Sequence, residues 1–256
     1  MKEFFGFGGY TRTPEGYFSI EHILFVSTLM LIMITLAVVL GIKNKNKDLS
    51  VKNKVLIWAA ILIDSFEIFK IVLLCIREED PMLWKYELPL FLCSIQLIVI
   101  PISAFSKSKL KYAALDFVLI FGILGAVMGT YCAGNNYGTF PVLCFDNVVS
   151  GITHSISGFC SLYIAISGMA SMKRQNIPTT FAILFAFCIS AFTANKIIDY
   201  NYMFLVRGDG TPYDILYNLV GGNQIIYPIS VVFLFLVYIS LFYFVYYCIN
   251  KSKSKK

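Results

Sequence analysis

Residues 20–42 read IEHILFVSTLMLIMITLAVVLGI, and this stretch decides the class of fold. After Glu21 and His22 it carries no charged side chain, and its length matches the ~20 residues that a helix needs to cross a bilayer. A lysine-rich connection follows instead of the small residues of a cleavage site, so we expect a membrane helix rather than a signal peptide. The whole chain agrees, because it is 58% hydrophobic and only 14% charged, with a mean hydropathy of +0.73. Soluble domains are about a quarter charged.

Further apolar blocks of this kind predict an all-α fold, a polytopic membrane helical bundle with seven transmembrane helices in a single domain, residues 1–256. The predicted spans are residues 20–42, 55–76, 88–105, 110–131, 150–172, 177–198 and 226–249. They leave no room for a separate soluble domain. The third span is the shortest, and its prolines, Pro89 and Pro101, lie near its ends, where a missing backbone N–H costs least.

Basic residues predict the orientation. With seven spans, fourteen lysines and arginines fall on one side: Lys43, Lys45, Lys47, Lys52, Lys54, Lys107, Lys109, Lys111, Lys173, Arg174, Lys251, Lys253, Lys255 and Lys256. Six fall on the other: Lys2, Arg12, Arg77, Lys85, Lys196 and Arg207. The positive-inside rule makes the first side cytoplasmic, with the N-terminus outside and the C-terminus in the cytoplasm. We therefore expect a multi-pass protein of the cell membrane, and the net charge of +6 does not indicate a nucleic-acid partner.

Polar residues inside the spans are the candidates for function, because ionisable side chains in lipid are expensive. Residues early in odd-numbered spans and late in even-numbered spans approach the same face of the membrane. This half collects the following residues: His22, Glu67, Lys70, Cys93, His154 and Asn195. Asp64 and Asp116 lie nearer the middle or the inner half.

Cys93 and His154 form the most informative pair, because a thiol needs a nearby base to become a nucleophile. Gln96 lies one helical turn from Cys93. Glu67 and Lys70 are three residues apart and can pair, either to make their burial tolerable or to orient a substrate or a histidine. Each of the two histidines also has a plain interpretation as a hydrogen-bonded structural residue.

Seven cysteines are present, and none has the spacing of a zinc site. We predict neither a metal nor a cofactor. Cys132 and Cys144 share an outer loop and are placed to form a disulfide if that side is oxidising. Most of the others are expected to be small apolar fillers.

Four stretches occur in an informative order: FSIEH at residues 18–22, ELPLFLCSIQ at 87–96, GITHS at 151–155 and NYMFL at 201–205. Together they resemble the YwaF-type bacterial integral membrane family. Its eukaryotic relative is the transmembrane-164 acyltransferase, which moves fatty acyl chains onto ether lysophospholipids. The many Lys, Asn and Ile residues are also typical of an AT-rich bacterial genome.

This resemblance implies lipid acyl transfer through a cysteine acyl-enzyme at the outer-leaflet side, with membrane lipids as acyl donor and lysolipid acceptor. Cys93 would be the nucleophile, and His154 would act as base and then as acid. The supporting residues would be His22, Glu67, Lys70 and Asn201. Donors for an oxyanion could come from Gln96, Asn195 or Asn201. Phe91 departs from the family pattern, because many relatives have a histidine there.

Two other functions stay open at this point. Buried charges line pathways in transporters, so a small-molecule transporter or a substrate-capturing membrane subunit would need a polar path that reaches Asp116. A non-catalytic scaffold would pair every buried charge and enclose no cavity. A lipid acyltransferase or acyl hydrolase needs the thiol and the imidazole together beside an apolar cavity.

Overall fold

The computed structural model describes the backbone of residues 2–253 and the side chains of residues 2–249. Lys251, Lys253, Lys255 and Lys256, which contribute to the predicted orientation, have side chains outside the described residues. Within that range the regular structure is helical. The α-helices are α1 (Ile20–Asn44), α2 (Leu49–Arg77), α3 (Gln96–Phe105), α4 (Ser108–Met128), α5 (Gly134–Thr139), α6 (Phe145–Ser167), α7 (Ile177–Ile198), α8 (Tyr213–Leu219) and α9 (Ile226–Lys253).

The prediction of an all-α, multi-pass membrane protein is confirmed. Five helical stretches in the described part of the chain are long and apolar enough to cross a bilayer: Ile20–Asn44, Ser108–Met128, Phe145–Ser167, Arg174–Ile198 and Ile226–Ile249. α2 is 29 residues long but carries Asp64, Glu67 and Lys70 near its middle, which removes it from that set. α3 has only ten residues, or about 15 Å, half of the ~30 Å hydrocarbon core.

The third predicted span is therefore not one continuous helix. Residues 87–95, which we call the Cys93 segment, are irregular, and helix begins only at Gln96. Ser94 competes with helical bonding here, because its hydroxyl accepts from the Phe91 N–H at 3.0 Å and donates to the Phe91 carbonyl at 3.2 Å. Pro101 lies in the middle of α3 rather than near its end, so α3 lacks one backbone hydrogen bond there.

α4 is the centre of the bundle, packed between α3, α6 and α7. Glycines allow the closest approach of α4 to α6. A Cβ on Gly122 would lie 2.7 Å from the Ser157 carbonyl oxygen, and one on Gly158 would lie 2.7 Å from the Ala126 Cβ. Small residues at such crossings are typical of membrane bundles, where van der Waals packing drives helix association. α4 is accordingly the most buried of the five candidate spans.

The lysine-rich connections share one end of the bundle. Lys111 at the start of α4 donates to the Asn53 side chain at 2.6 Å and to the Ser103 carbonyl at 2.8 Å. It thereby caps the carboxyl end of α3, where a cation is favourable. Tyr163 donates to the Lys52 carbonyl at 3.1 Å and brings α6 to the same end. The predicted orientation requires these lysine-rich connections to lie on the same side of the membrane, and their position at one end of the bundle agrees with it.

The connections at the opposite end hold structure that hydropathy does not reveal, namely α5, α8 and short 3₁₀ turns. α6 begins at Phe145, five residues before the predicted start at 150, so His154 lies about 14 Å along the helix. The disulfide considered between Cys132 and Cys144 is not formed, since both thiols are free, the first exposed and the second buried.

Candidate active site

A cavity of about 590 Å³ opens at the end of the bundle opposite to Lys111. This size falls within the range of small-molecule pockets. Its wall mixes apolar and polar groups from α2, α6, the Cys93 segment and the loops at this end of the bundle. The lining residues are Ile63, Glu67, Lys70, Leu74, Arg77, Glu78, Leu83, Tyr86, Glu87, Leu88, Phe91, Cys93, Ser94, Leu97, Asn136, Phe140, Asp146, Ser150, Thr153, His154 and Tyr200.

One face of α2 forms the long wall of this cavity. Ile63, Glu67, Lys70, Leu74 and Arg77 line it, and their spacing of three or four residues places them in one row on the helix. The row extends over about 21 Å. The row is apolar at Ile63 and Leu74 and charged at Glu67, Lys70 and Arg77, so the wall suits a ligand with an apolar part and a polar part.

Cys93 lies on this cavity where the Cys93 segment turns into α3. The backbone N–H groups of Cys93 and Ser94 face its sulfur. Neither N–H has another acceptor among the described residues. The positive end of a helix and unpaired N–H groups stabilise an anion, so the geometry favours an oxyanion that forms beside Cys93.

His154 reaches the same cavity from α6. Its imidazole occupies the space above Gly129, where a Cβ would lie 2.2 Å from the ring Cε1 and 2.3 Å from each ring nitrogen. Cys93 lies above Gly125, whose Cβ would be 3.5 Å from the cysteine Cβ. The two glycines are four residues apart at the end of α4, or about 6 Å. The thiol and the imidazole therefore stand over neighbouring turns of one helix.

Lys70 ties the long wall to the Cys93 segment. Its Nζ lies 2.7 Å from Glu67 Oε1 and 3.0 Å from Glu87 Oε2. The lysine and Glu67 are largely buried, and Glu87 is partly exposed. Because Glu87 begins the Cys93 segment, this bridge fixes the start of that segment on α2.

His22 does not line the cavity. Its ring is fully buried, and both nitrogens are used: Nδ1 accepts from the Phe18 N–H at 3.2 Å, so Nε2 carries the proton and donates to the Thr130 carbonyl at 3.2 Å. The ring also packs on Tyr137, with centroids 4.0 Å apart. The structural interpretation of this histidine matches its contacts.

Asn195 and Asn201 also lie away from the cavity wall. The Asn195 amide binds the backbone of Tyr202 on both sides, accepting from its N–H at 2.6 Å and donating to its carbonyl at 3.0 Å. The Asn201 amide donates to the Arg207 carbonyl and the Asp209 carboxylate, each at 2.8 Å. These engaged amides brace the loop after α7 and are not aimed at a substrate.

Gln96 is fully buried on α3, and its amide atoms have no hydrogen-bond partner among the described residues. It does not belong to the cavity lining. Asp116 is likewise outside the cavity. Its carboxylate accepts from the Met172 N–H at 3.0 Å, the Asn176 amide at 2.7 Å and the Tyr243 hydroxyl at 2.9 Å.

The TMEM164 family matches residues 17–246, nearly the whole chain. The chain belongs to the TMEM164 family. No curated protein and no solved structure matches it. The match includes the four stretches whose order suggested the relationship, and it includes the cavity.

Within this TMEM164-family chain, Phe91 occupies an aromatic cluster at the cavity wall. Its ring centroid lies 5.1 Å from that of Tyr202, 5.7 Å from that of Phe204 and 6.2 Å from that of Tyr200. The side chain at this position packs on the loop after α7 and adds an apolar contact beside Cys93.

Contacts that the sequence did not predict join the N-terminal stretch of the family chain to the cavity wall. Arg77 donates to Asp146 at 2.7 Å and to the Phe5 carbonyl at 3.3 Å, and Tyr10 donates to the same carboxylate. Burial and the hydrogen bond to Asp146 raise the pKa of Tyr10, so this hydroxyl remains a donor. These contacts fasten Phe5 and Tyr10 of the N-terminal stretch to Arg77 and Asp146 of the cavity wall, and no pattern in that glycine-rich stretch predicts them. Among the described residues no cluster of His, Cys, Asp and Glu forms a metal site.

Proposed function

We propose that this protein is an integral membrane lipid acyltransferase that works through a Cys93 acyl-enzyme. In this proposal the chain is one domain with seven crossings, the third of which combines the Cys93 segment and α3. Irregular backbone is tolerated at membrane depth where it lines a cavity. The lysine-rich end lies in the cytoplasm, so the cavity opens towards the outer leaflet of the cell membrane.

One observation carries the proposal: Cys93 and His154 line the same cavity over Gly125 and Gly129 of a single helix end. A nucleophile beside a base is the general signature of covalent catalysis. The N–H groups that face the Cys93 sulfur supply the donors that Asn195 and Asn201 do not, because backbone N–H pairs are the usual oxyanion stabilisers.

The reaction has two balanced halves. His154 takes the proton of the Cys93 thiol, and the sulfur attacks the ester carbonyl of a membrane phospholipid. The C–S bond forms, the ester C–O bond breaks, and the protonated imidazole returns the proton to the departing lysolipid hydroxyl. A lysolipid acceptor then gives its hydroxyl proton to His154 and attacks the thioester. The new ester forms, the C–S bond breaks, and the thiol recovers its proton.

Water in place of the lysolipid acceptor would release a fatty acid, which makes acyl hydrolysis the side reaction of the same site. The apolar residues of the cavity, such as Ile63 and Leu97, suit the acyl chain. The charged row on α2 suits a polar head group. In this proposal the chain is a bacterial member of the family, of the YwaF type that the four sequence motifs resemble.

The other two functions have less support. Asp116 is absent from the cavity lining and is engaged by three hydrogen-bond donors, which disfavours a transport path through it. A cavity of this size next to charged groups disfavours a scaffold whose polar residues only hold helices together.

The test is turnover of a defined phospholipid and a lysophospholipid by the purified full chain in nanodiscs. We expect Cys93→Ala to abolish acyl transfer and His154→Ala to reduce it by at least 10²-fold. Cys75→Ala is the matched control, because Cys75 is a partly buried cysteine on α2 outside the cavity lining, and it should keep full turnover. Acyl transfer that survives Cys93→Ala would refute the proposal.

A further inference from the structure

We propose that Tyr202 is the positioning residue for Cys93: its hydroxyl fixes the start of the Cys93 segment, so the loop after α7 controls the reactivity of the thiol. The inference rests on the proposed role of Cys93 as nucleophile. Tyr202 does not line the cavity, so it is not a catalytic residue.

The Tyr202 hydroxyl is one atom that holds two points of the chain. It donates to the Lys85 carbonyl at 2.6 Å and accepts from the Leu88 N–H at 3.1 Å. Its side chain is 0% exposed, so water does not compete for either bond. These two bonds clamp the turn that leads into the Cys93 segment.

Only a few residues separate this clamp from Cys93, and backbone hydrogen bonds connect them. Leu90 N–H donates to the Leu88 carbonyl at 2.7 Å, and Ile95 N–H donates to the Phe91 carbonyl at 2.9 Å. The Tyr202 ring also packs edge-on against Phe91. A shift of the clamp is therefore transmitted to the N–H groups that face the Cys93 sulfur.

Tyr202 is itself held in place from two directions. The Asn195 side chain binds both its N–H and its carbonyl. The next two residues, Met203 and Phe204, have φ values of 55° and 54°, a left-handed conformation that L side chains rarely adopt. Strained backbone of this kind persists where the surroundings over-determine it, and it clusters at functional sites. A loop that only connected α7 to α8 would not require it.

The test uses Tyr202→Phe, which keeps the ring and removes the hydroxyl. In the solubilised full chain, the rate of Cys93 alkylation by iodoacetamide is followed by peptide mass spectrometry, and acyl transfer gives kcat and KM. We expect both the alkylation rate and kcat to fall at least about tenfold, because the variant loses both buried hydrogen bonds of the hydroxyl, while KM changes less than twofold.

Tyr163→Phe is the matched control. Tyr163 is also 0% exposed, and its hydroxyl also bridges a backbone carbonyl and a second group, Lys52 and Asn44, but at the other end of the bundle. We expect a comparable loss of thermal stability without slower Cys93 alkylation. If both variants slow alkylation equally, the effect is general loosening and the inference fails.

An unchanged alkylation rate in folded Tyr202→Phe also overturns the inference, but it leaves the proposed function standing if Cys93→Ala still abolishes turnover. If Tyr202→Phe does not fold, Asn195→Asp replaces it. This variant keeps the acceptor for the Tyr202 N–H and loses the donor to its carbonyl. It must slow Cys93 alkylation, and an unchanged rate again overturns the inference.

Discussion

Gly129→Ala is the sharpest perturbation of the site that leaves both proposed catalytic side chains in place. The new Cβ would lie 2.2 Å from His154 Cε1, whereas ordinary contact begins near 3.4 Å, so the imidazole must move by about 1.2 Å. The backbone tolerates the change, because Gly129 has φ −79° and ψ −3°, a helical conformation in which alanine is favoured over glycine. The strain therefore falls on the ring, which can move into the cavity beside it.

A displacement of about 1 Å in a catalytic group costs on the order of 10²-fold in rate. We expect turnover of phospholipid to fall by about that factor, with a small change in thermal stability. Gly125→Ala is the control, since its Cβ would meet the Cys93 Cβ at an ordinary 3.5 Å, and it should lose about threefold or less. If Gly129→Ala folds and retains turnover within threefold of the wild type, the imidazole above Gly129 is not the working base.

Three further outcomes are expected. Lys70→Met should destabilise the protein by about 3 kcal/mol, because it leaves two partly buried carboxylates without a partner, and thermal unfolding should show Lys70→Arg to be milder. Asp116→Ala should cost about 2–4 kcal/mol, since three buried donors lose their acceptor, while Asp116→Asn retains part of that stability. Burial acts to raise the pKa of Glu15, but the N–H groups of Val142 and of Glu15 itself and the charge of Arg12 together outweigh it, so the pKa is lowered. This carboxylate therefore holds the N-terminal residues at neutral pH and releases them as the pH falls through its lowered pKa. The protection of residues 2–16 against hydrogen exchange, relative to the intrinsic rate at each pH, should fall as the pH drops through that lowered pKa, and Glu15→Gln should remove that dependence.

The helices that hydropathy predicts best are those that face lipid. α7 matches residues 177–198, and α1 and α9 differ from their predicted spans only at the carboxyl ends, because long uncharged runs leave one stable structure in a bilayer. The prediction of one continuous helix over residues 88–105 was wrong for a local reason. The hydroxyl of Ser94 bonds to the backbone of Phe91 and delays the helix, and hydropathy does not detect that competition.

The odd or even number of each span predicted which polar residues lie in the same half of the molecule. Cys93, His154, Glu67 and Lys70 all line one cavity, as their positions in odd and even spans indicated. The number of a span, odd or even, predicts how deep a residue lies in the membrane, but not which way its side chain points around the helix axis. Helices that are apolar on nearly all sides carry little information about which face points inward. His22 therefore shares the predicted depth but turns towards structural partners instead of the cavity.

The sequence carries a signal for the end of α4 that forms part of the site. Gly125 and Gly129 are four residues apart, a spacing that marks close approach of another element to a membrane helix. The role of Tyr202 had no such signal, because its partners are the carbonyl of Lys85 and the N–H of Leu88. Backbone partners far away in sequence are not visible in side-chain patterns.

The central claim is that Cys93 carries an acyl group during turnover. The most direct measurement is peptide mass spectrometry of the full chain after incubation with a phospholipid of known acyl composition and rapid acid quenching. We predict the mass of that acyl group on the Cys93 peptide, removed by neutral hydroxylamine and absent from Cys93→Ala. Active protein that never carries an acyl group on Cys93, or that carries it on another residue, would contradict the account.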